Sequence, residues 1–172
     1  MKAIGFGGSV KRQAKYVNRV EGHYAADEIE KGHYWDDGKG CAVGCMIHGS
    51  DHLKLAAELG VTPQITYLLD SIFEALPNGK AKDWPLSVIS ALKVGADYSD
   101  VWPKFAAWLM TDPEWGVEHL TGDAEIRELC REVARCYLTG ETAGAEAEAL
   151  AERLGAARDA RAGRAAWAAW AE

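Results

Sequence analysis

The chain has 172 residues, 48% of them apolar and 26% charged, a balance that suits a globular domain with a real core and excludes global disorder. Its net charge is −7, and its lysines and arginines are scattered or paired with acids, which argues against a phosphate-binding surface and makes nucleic acid an unlikely ligand. No apolar run reaches membrane-spanning length and MKAIGFGGSV lacks the form of a secretory signal, so the four cysteines read as reduced thiols of a cytoplasmic protein with no membrane role.

Residues 1–9 read as a flexible leader that ends on Ser9, a helix cap. Between Lys11 and Glu30, Ala14, Val17, Val20 and Tyr24 recur at three- and four-residue steps, which predicts an amphipathic helix closed by Gly32. HYWDDGKG carries turn residues and predicts a short hairpin or an extended arm. In SDHLKLAAELG, Ser50 is the expected cap, Leu53, Leu55, Ala56 and Leu59 the apolar positions, and Gly60 the stop. TPQITYLLDSIFEALP repeats the device, with Thr62 as cap, Pro63 in the first turn and Pro77 past the end. Further helices are expected from Asp83 or Trp84 to Gly95, after Ser99, and after Asp123. The last of these places Ile126, Leu129, Cys130, Val133 and Tyr137 on one face.

From residue 141 the composition changes to alanine with interleaved Glu and Arg, and Leu150, Leu154, Trp167 and Trp170 are its large apolar groups. Alanine's helix propensity predicts a long helix there, with too little apolar surface for a core element. The expected fold class is all-α: a compact domain of short helices over residues 10–138, carrying an alanine-rich helical appendage over 139–172.

The chemistry-bearing stretch is GKGCAVGCMIHGSDH. Cys41, Cys45, His48 and His52 are spaced four, three and four apart, and all are residue types that ligate zinc. On one continuous helix they would share a face within about 60° but spread over a rise of roughly 16 Å, too long to converge on one ion. A site of two of them completed by the distant His23 or His33 is a further possibility. A nucleophilic cysteine is the second reading: Cys41 opens a short helix whose N–H groups lower a thiol pKa, with His23, His33, His48 or His52 as the base. The third is structural. Cys41, Val43, Cys45, Met46 and Ile47 suit burial, and Gly40 and Gly44 let the segment pass close beneath another helix. Composition favours that buried segment, with no cofactor.

Elsewhere, Asp70 and Glu74 lie one helical turn apart, as do His23 and Asp27. Both pairs are expected on solvated faces, although such pairs hold a metal or move protons where a facing element supplies partners. No phosphate loop, dinucleotide-binding glycine pattern or hydrolase elbow occurs in the sequence.

GKGCAVGCMIHGSDH, with AAELGVTPQITYLLDSIFEALP and VGADYSDVWPKFAAWLM, resembles a group of small phage, prophage and environmental proteins without an established activity. The likeness runs over roughly residues 11–119. It implies a mobile-element setting and assigns no functional residue. With the acidic surface, seven tryptophans and no catalytic motif, the expected function is that of an accessory protein docking on a protein partner, for example as an inhibitor of a bacterial defence system like CRISPR-Cas. Trp167 and Trp170, with Arg164 a turn away, are the expected partner-binding residues, for a second copy or another protein. The competing functions are an enzyme using Cys41 with His48 or His52, a zinc protein using Cys41, Cys45, His48 and His52, and a self-associating structural protein.

Overall fold

In a computed structural model, the structure describes residues 2–140 together with Ala149, Glu152, Arg153 and Ala156. The fold is all-α, with seven α-helices and one two-stranded hairpin among the described residues. Two compact units divide the chain, residues 1–102 and 103–172. Trp167, Trp170 and Arg164, and nearly all of the alanine-rich appendage, lie outside the described residues.

The first unit begins with a short 3-10 turn, Gly5–Gly8, and helix α1, Val10–Ala25. Ser9 caps α1 by accepting a hydrogen bond from the Arg12 N–H. The face that α1 buries is centred on Tyr16 and Val20, whereas Ala14 and Tyr24 are exposed. Polar residues complete that face and hide it from an apolar count: the Gln13 side chain donates to the Leu92 carbonyl at 3.0 Å. The helix ends at Ala25, ahead of Asp27 in the left-handed region. Strands β1 (Trp35–Asp36) and β2 (Lys39–Gly40) then form an antiparallel hairpin around Asp37 and Gly38, both at positive φ.

Helix α2, Ala42–Ile47, is six residues long, and Ala42 to Met46 are all buried. Helix α3 (His52–Leu59) is capped by Asp51, which accepts from the Lys54 N–H, not by Ser50. Gly60 ends it at φ 71°, as its sequence position predicts. Helix α4 (Pro63–Ala75) starts after Thr62 with proline in its first turn.

Helix α5 spans Asn78–Ala91 with Pro85 inside it, whereas the sequence predicted a start at Pro85. The proline lacks the N–H that would bond the Ala81 carbonyl, yet its ring is fully buried, and the adjacent Trp84 indole donates to the Leu69 carbonyl of α4 at 3.0 Å. Burial of the ring and this tie hold the helix through the residue that would otherwise start it.

Residues 2–9 are not a flexible leader. Phe6 is fully buried in the core with Tyr16, Val20, Met46, Leu55, Leu59, Phe73 and Ile89. The backbone around it is fixed by long-range bonds: Gly5 N–H to Ala96, Gly95 N–H to Gly5, and Tyr98 N–H to Ala3, at 2.7–2.9 Å. Burying one phenylalanine ring is worth about 1.5–3 kcal/mol, enough to anchor a glycine-rich end.

Helix α6, Val101–Thr111, begins at the last two residues of the first unit. In the second unit, α7 (Ala124–Thr139) is capped by Asp123 and buries Leu129, Cys130 and Ala134, while Tyr137 is 38% exposed. Glu118 pairs with Arg131 at 3.0 Å. No helix of the described residues is long and apolar enough to cross a membrane.

Candidate functional site

The four residues of the Cys-His stretch do not converge; α2 parts them. Cys41 stands at its N-cap and accepts from the Gly44 N–H. Cys45 faces inward, its thiol against the carbonyls of Gly40 at 3.3 Å and Glu28 at 3.7 Å. His48 closes the helix in the left-handed region at φ 53° and turns toward His23. His52 lies one loop later, at the start of α3, and reaches α4. The four are not grouped around one point, and what parts them is the end of α2 at Ile47 and the left-handed turn at His48, not the rise of one continuous helix.

Helices α1, α3, α4 and α5 all pack on α2, but the closest approach, over Gly40 and Gly44, is made by the segment leading into the hairpin. The Cys41 N–H donates to the carbonyls of His33 at 3.0 Å and Tyr34 at 3.2 Å. This approach is possible only over glycine, because a Cβ at Gly40 or Gly44 would overlap the Tyr34 carbonyl oxygen. Gly40 and Gly44 thus bring Tyr34 against the start of α2.

Cys41 is joined there by Asp70 and Glu74 of α4. The ligand atoms of the three all lie within 4.8 Å of one another. The Cys41 thiol is 3.4 Å from Asp70 Oδ1, and Glu74 Oε1 accepts from the Gly32 N–H at 3.4 Å. Asp70 is not on a solvated face as its helical spacing suggested; its side chain is 16% exposed. The partner it needed is Cys41. His23 and Asp27 do not act as a pair either, since Asp27 has left the helix and binds Lys82.

His52 packs beside this group. Its ring is buried, stacked on Tyr67 at 4.4 Å, with Tyr34 edge-on at 5.5 Å. Nδ1 lies 3.1 Å from the Ser50 carbonyl, which accepts only if Nδ1 carries a proton. That leaves Nε2 buried, without a hydrogen-bond partner, and 3.4 Å from Asp70 Oδ2. In a neutral imidazole, a lone pair then faces a carboxylate oxygen. A second proton or a cation between them would relieve the clash.

Among the described residues no lysine or arginine pairs with Asp70 or Glu74. Lys31 comes near but donates to the carbonyls of Glu74 and Leu76, at the end of α4. Burial pushes the Cys41 thiol up to about 12, outweighing the Gly44 N–H that lowers it, and the Asp70 charge adds to the rise. A helix start does not activate this thiol: it is protonated at neutral pH. The Tyr34 hydroxyl is also raised, by desolvation first and then by the charges of Asp70 and Cys41. Cys41, Asp70, Glu74 and Tyr34, with Gly32 and His33, line a cavity of about 230 Å³. Sequence reading missed Tyr34 and Tyr67, for which no local pattern gives a signal. No family model matches the chain, and neither a curated protein nor a solved structure does.

Proposed function

We propose that this is a metal-dependent protein that holds a zinc-class ion on Cys41, Asp70 and Glu74 at the floor of the cavity. The observation that carries the reading is the buried Nε2 of His52, unpartnered and aimed at Asp70 beside a thiol and a second carboxylate, neither acid paired with a lysine or arginine of the described residues. Sulfur and oxygen ligands on a tetrahedral zinc stand about 3.5 Å apart, and Cys41 and Asp70 already stand at 3.4 Å. Three protein ligands beside a cavity are the arrangement of a catalytic rather than a structural site. Such an ion supplies a Lewis acid and an acidified water, which suits hydrolysis of a small substrate. Around it the buried His52 ring packs 3.4 Å from Asp70, and the Tyr34 hydroxyl is a hydrogen-bond donor at the rim.

Elemental analysis of the intact protein, purified without chelator, tests this. One zinc per chain is expected, retained by Cys45→Ser and lost from Cys41→Ser and Asp70→Asn. Because Glu74 is exposed, Glu74→Gln keeps the fold and weakens retention at least tenfold. In the cobalt-substituted protein, the thiolate charge-transfer band should vanish in Cys41→Ser alone. No bound metal, or metal indifferent to Cys41 and Glu74, would sink the proposal.

The partner-binding reading has separate support. The net charge is −7, and in the second unit Trp115 is 67% and Leu120 77% exposed. An acidic accessory protein of a mobile element, acting on a bacterial protein, fits both. A tagged chain recovered from a bacterial host should then bring down one stoichiometric partner, and recovery of none counts against it.

A further inference from the structure

The opposite end of α2 carries a second cluster that the metal reading does not use. His23 Nδ1 meets Glu28 Oε2 at 2.6 Å, and His23 Nε2 meets His48 Nε2 at 2.9 Å. Trp35 of β1 stacks on the His48 ring at 4.3 Å and meets His23 edge-on at 5.2 Å.

The chemistry of this chain fixes its protons. A carboxylate only accepts, so Nδ1 of His23 carries a proton, and in the neutral ring its Nε2 then offers a lone pair. His48 must then donate from Nε2. The two ring centroids are 5.1 Å apart. That is the distance expected when the nitrogens point straight at each other, each ring adding about 1.1 Å from centroid to nitrogen. Two imidazoles that share a tetrahedral ion instead aim at a common third point, with their nitrogens about 3.3 Å apart, wider than the 2.9 Å of this pair. This pair is built around a proton.

We infer that the His23–His48 contact is an acid-sensitive latch that holds the C-terminal end of α2, and with it the loop leading to His52, against α1 and the hairpin. With both rings protonated, Nε2–H faces Nε2–H across 2.9 Å and the contact cannot persist. His23 stays, because its bond to Glu28 becomes an ion pair on protonation. His48 leaves. It sits at φ 53°, a conformation unfavourable for a side chain with a Cβ, so release also relieves backbone strain. The charged and titratable groups facing His48 are Lys15, Arg19 and His23 of α1 and Glu28 of the following loop; the hairpin presents Trp35 without charge. Burial, then Arg19 and His23, hold the His48 imidazole below its ordinary value, with Glu28 opposing. A lowered histidine value means stability that is complete above the unfolded pKa, near 6.5, and is lost as pH falls through the folded one.

Nitrogen-detected NMR of histidine side chains in the full chain tests the latch. At pH 7.5, His23 should appear as the Nδ1–H tautomer and His48 as Nε2–H, with contacts between His48 and Trp35. By pH 5 those contacts should be lost while far-ultraviolet circular dichroism is unchanged. His48→Gln keeps a donor but cannot titrate, so its side chain should hold Trp35 equally at both pH values. Metal stripping should leave the transition in place, which separates it from the cavity at the other end of α2. Persistence of the His48–Trp35 contact with both rings protonated, or the same acid transition in His48→Gln, overturns the inference.

Discussion

Replacing Gly44 with alanine perturbs the structure where the hairpin meets α2. The added Cβ would overlap the Tyr34 carbonyl oxygen and lie 2.5 Å from its carbonyl carbon. Both atoms are backbone, so no side-chain rotation makes room. Either Tyr34 and Trp35 lift away from α2 or the helix itself shifts. Lifting breaks the bonds from the Cys41 N–H to the His33 and Tyr34 carbonyls, at about 1 kcal/mol each. Overpacking a closed site adds about 1–3 kcal/mol, which brings the expected loss to about 3–5 kcal/mol. Gly22→Ala is the control, because a Cβ there meets nothing within 4 Å on the solvent side of α1. Relieving a mid-helix glycine should stabilise by about 0.5–1 kcal/mol. Urea denaturation of the intact chain, followed by fluorescence and circular dichroism, reads both variants. The close-approach argument fails if Gly44→Ala lies within 1 kcal/mol of the wild type, or if the two variants move in the same direction.

Two further outcomes rest on the buried titratable groups. Burial, and then Glu58 at 3.2 Å, push the Tyr16 hydroxyl up to about 12. Its contribution is therefore complete below the unfolded value near 10 and is lost as pH rises to 12; Tyr16→Phe should flatten the decline in thermal stability across that window, and an unchanged decline would count against it. Cys41 and Cys45 are buried with thiols pushed up to about 12, and burial also raises Cys130, whereas Cys136 is half-buried. Native thiol labelling should modify Cys136 first and the other three only as the chain opens, so rapid native labelling of Cys41 would mean an activated thiolate.

Most helix starts and stops were legible as local signals in the sequence, and long-range contacts were not. Ser9 and Asp123 cap their helices, Pro63 opens α4 and Gly60 stops α3, because each device works within four residues of chain, whereas Thr62 makes no capping bond, Asp51 replaces Ser50 as cap and Pro85 lies inside its helix. Phe6 was illegible for the opposite reason: the segment that binds its backbone neighbours lies near residues 93–98. In the site, the i,i+4 spacing of Asp70 and Glu74 was visible, but helical spacing alone cannot say which face meets a partner. The thiol that completes the group comes from α2, whose own pattern suggested burial. That pattern was sound, since Cys41 is buried and also lines the cavity.

Both clusters follow from the shortness of α2. A six-residue helix has no stability of its own and must be covered, here by α1, α3, α4 and α5 and by a hairpin that glycines admit to van der Waals contact. With its middle buried, only its ends present polar groups: Cys41 at the start and His48 at the close. Adjacent residues of an extended segment point to opposite sides. Tyr34 is therefore directed to His52 and the carboxylates, and Trp35 to His48 and His23. One backbone contact thus sets the geometry of two sites of different chemistry. Gly44→Ala should disturb both together, with loss of metal retention and of the His48–Trp35 stack at neutral pH. Glu74→Gln should weaken the first and spare the second, and His48→Gln should remove the acid transition while sparing metal retention. If Gly44→Ala disturbed only one of them, the hairpin would not be their common support.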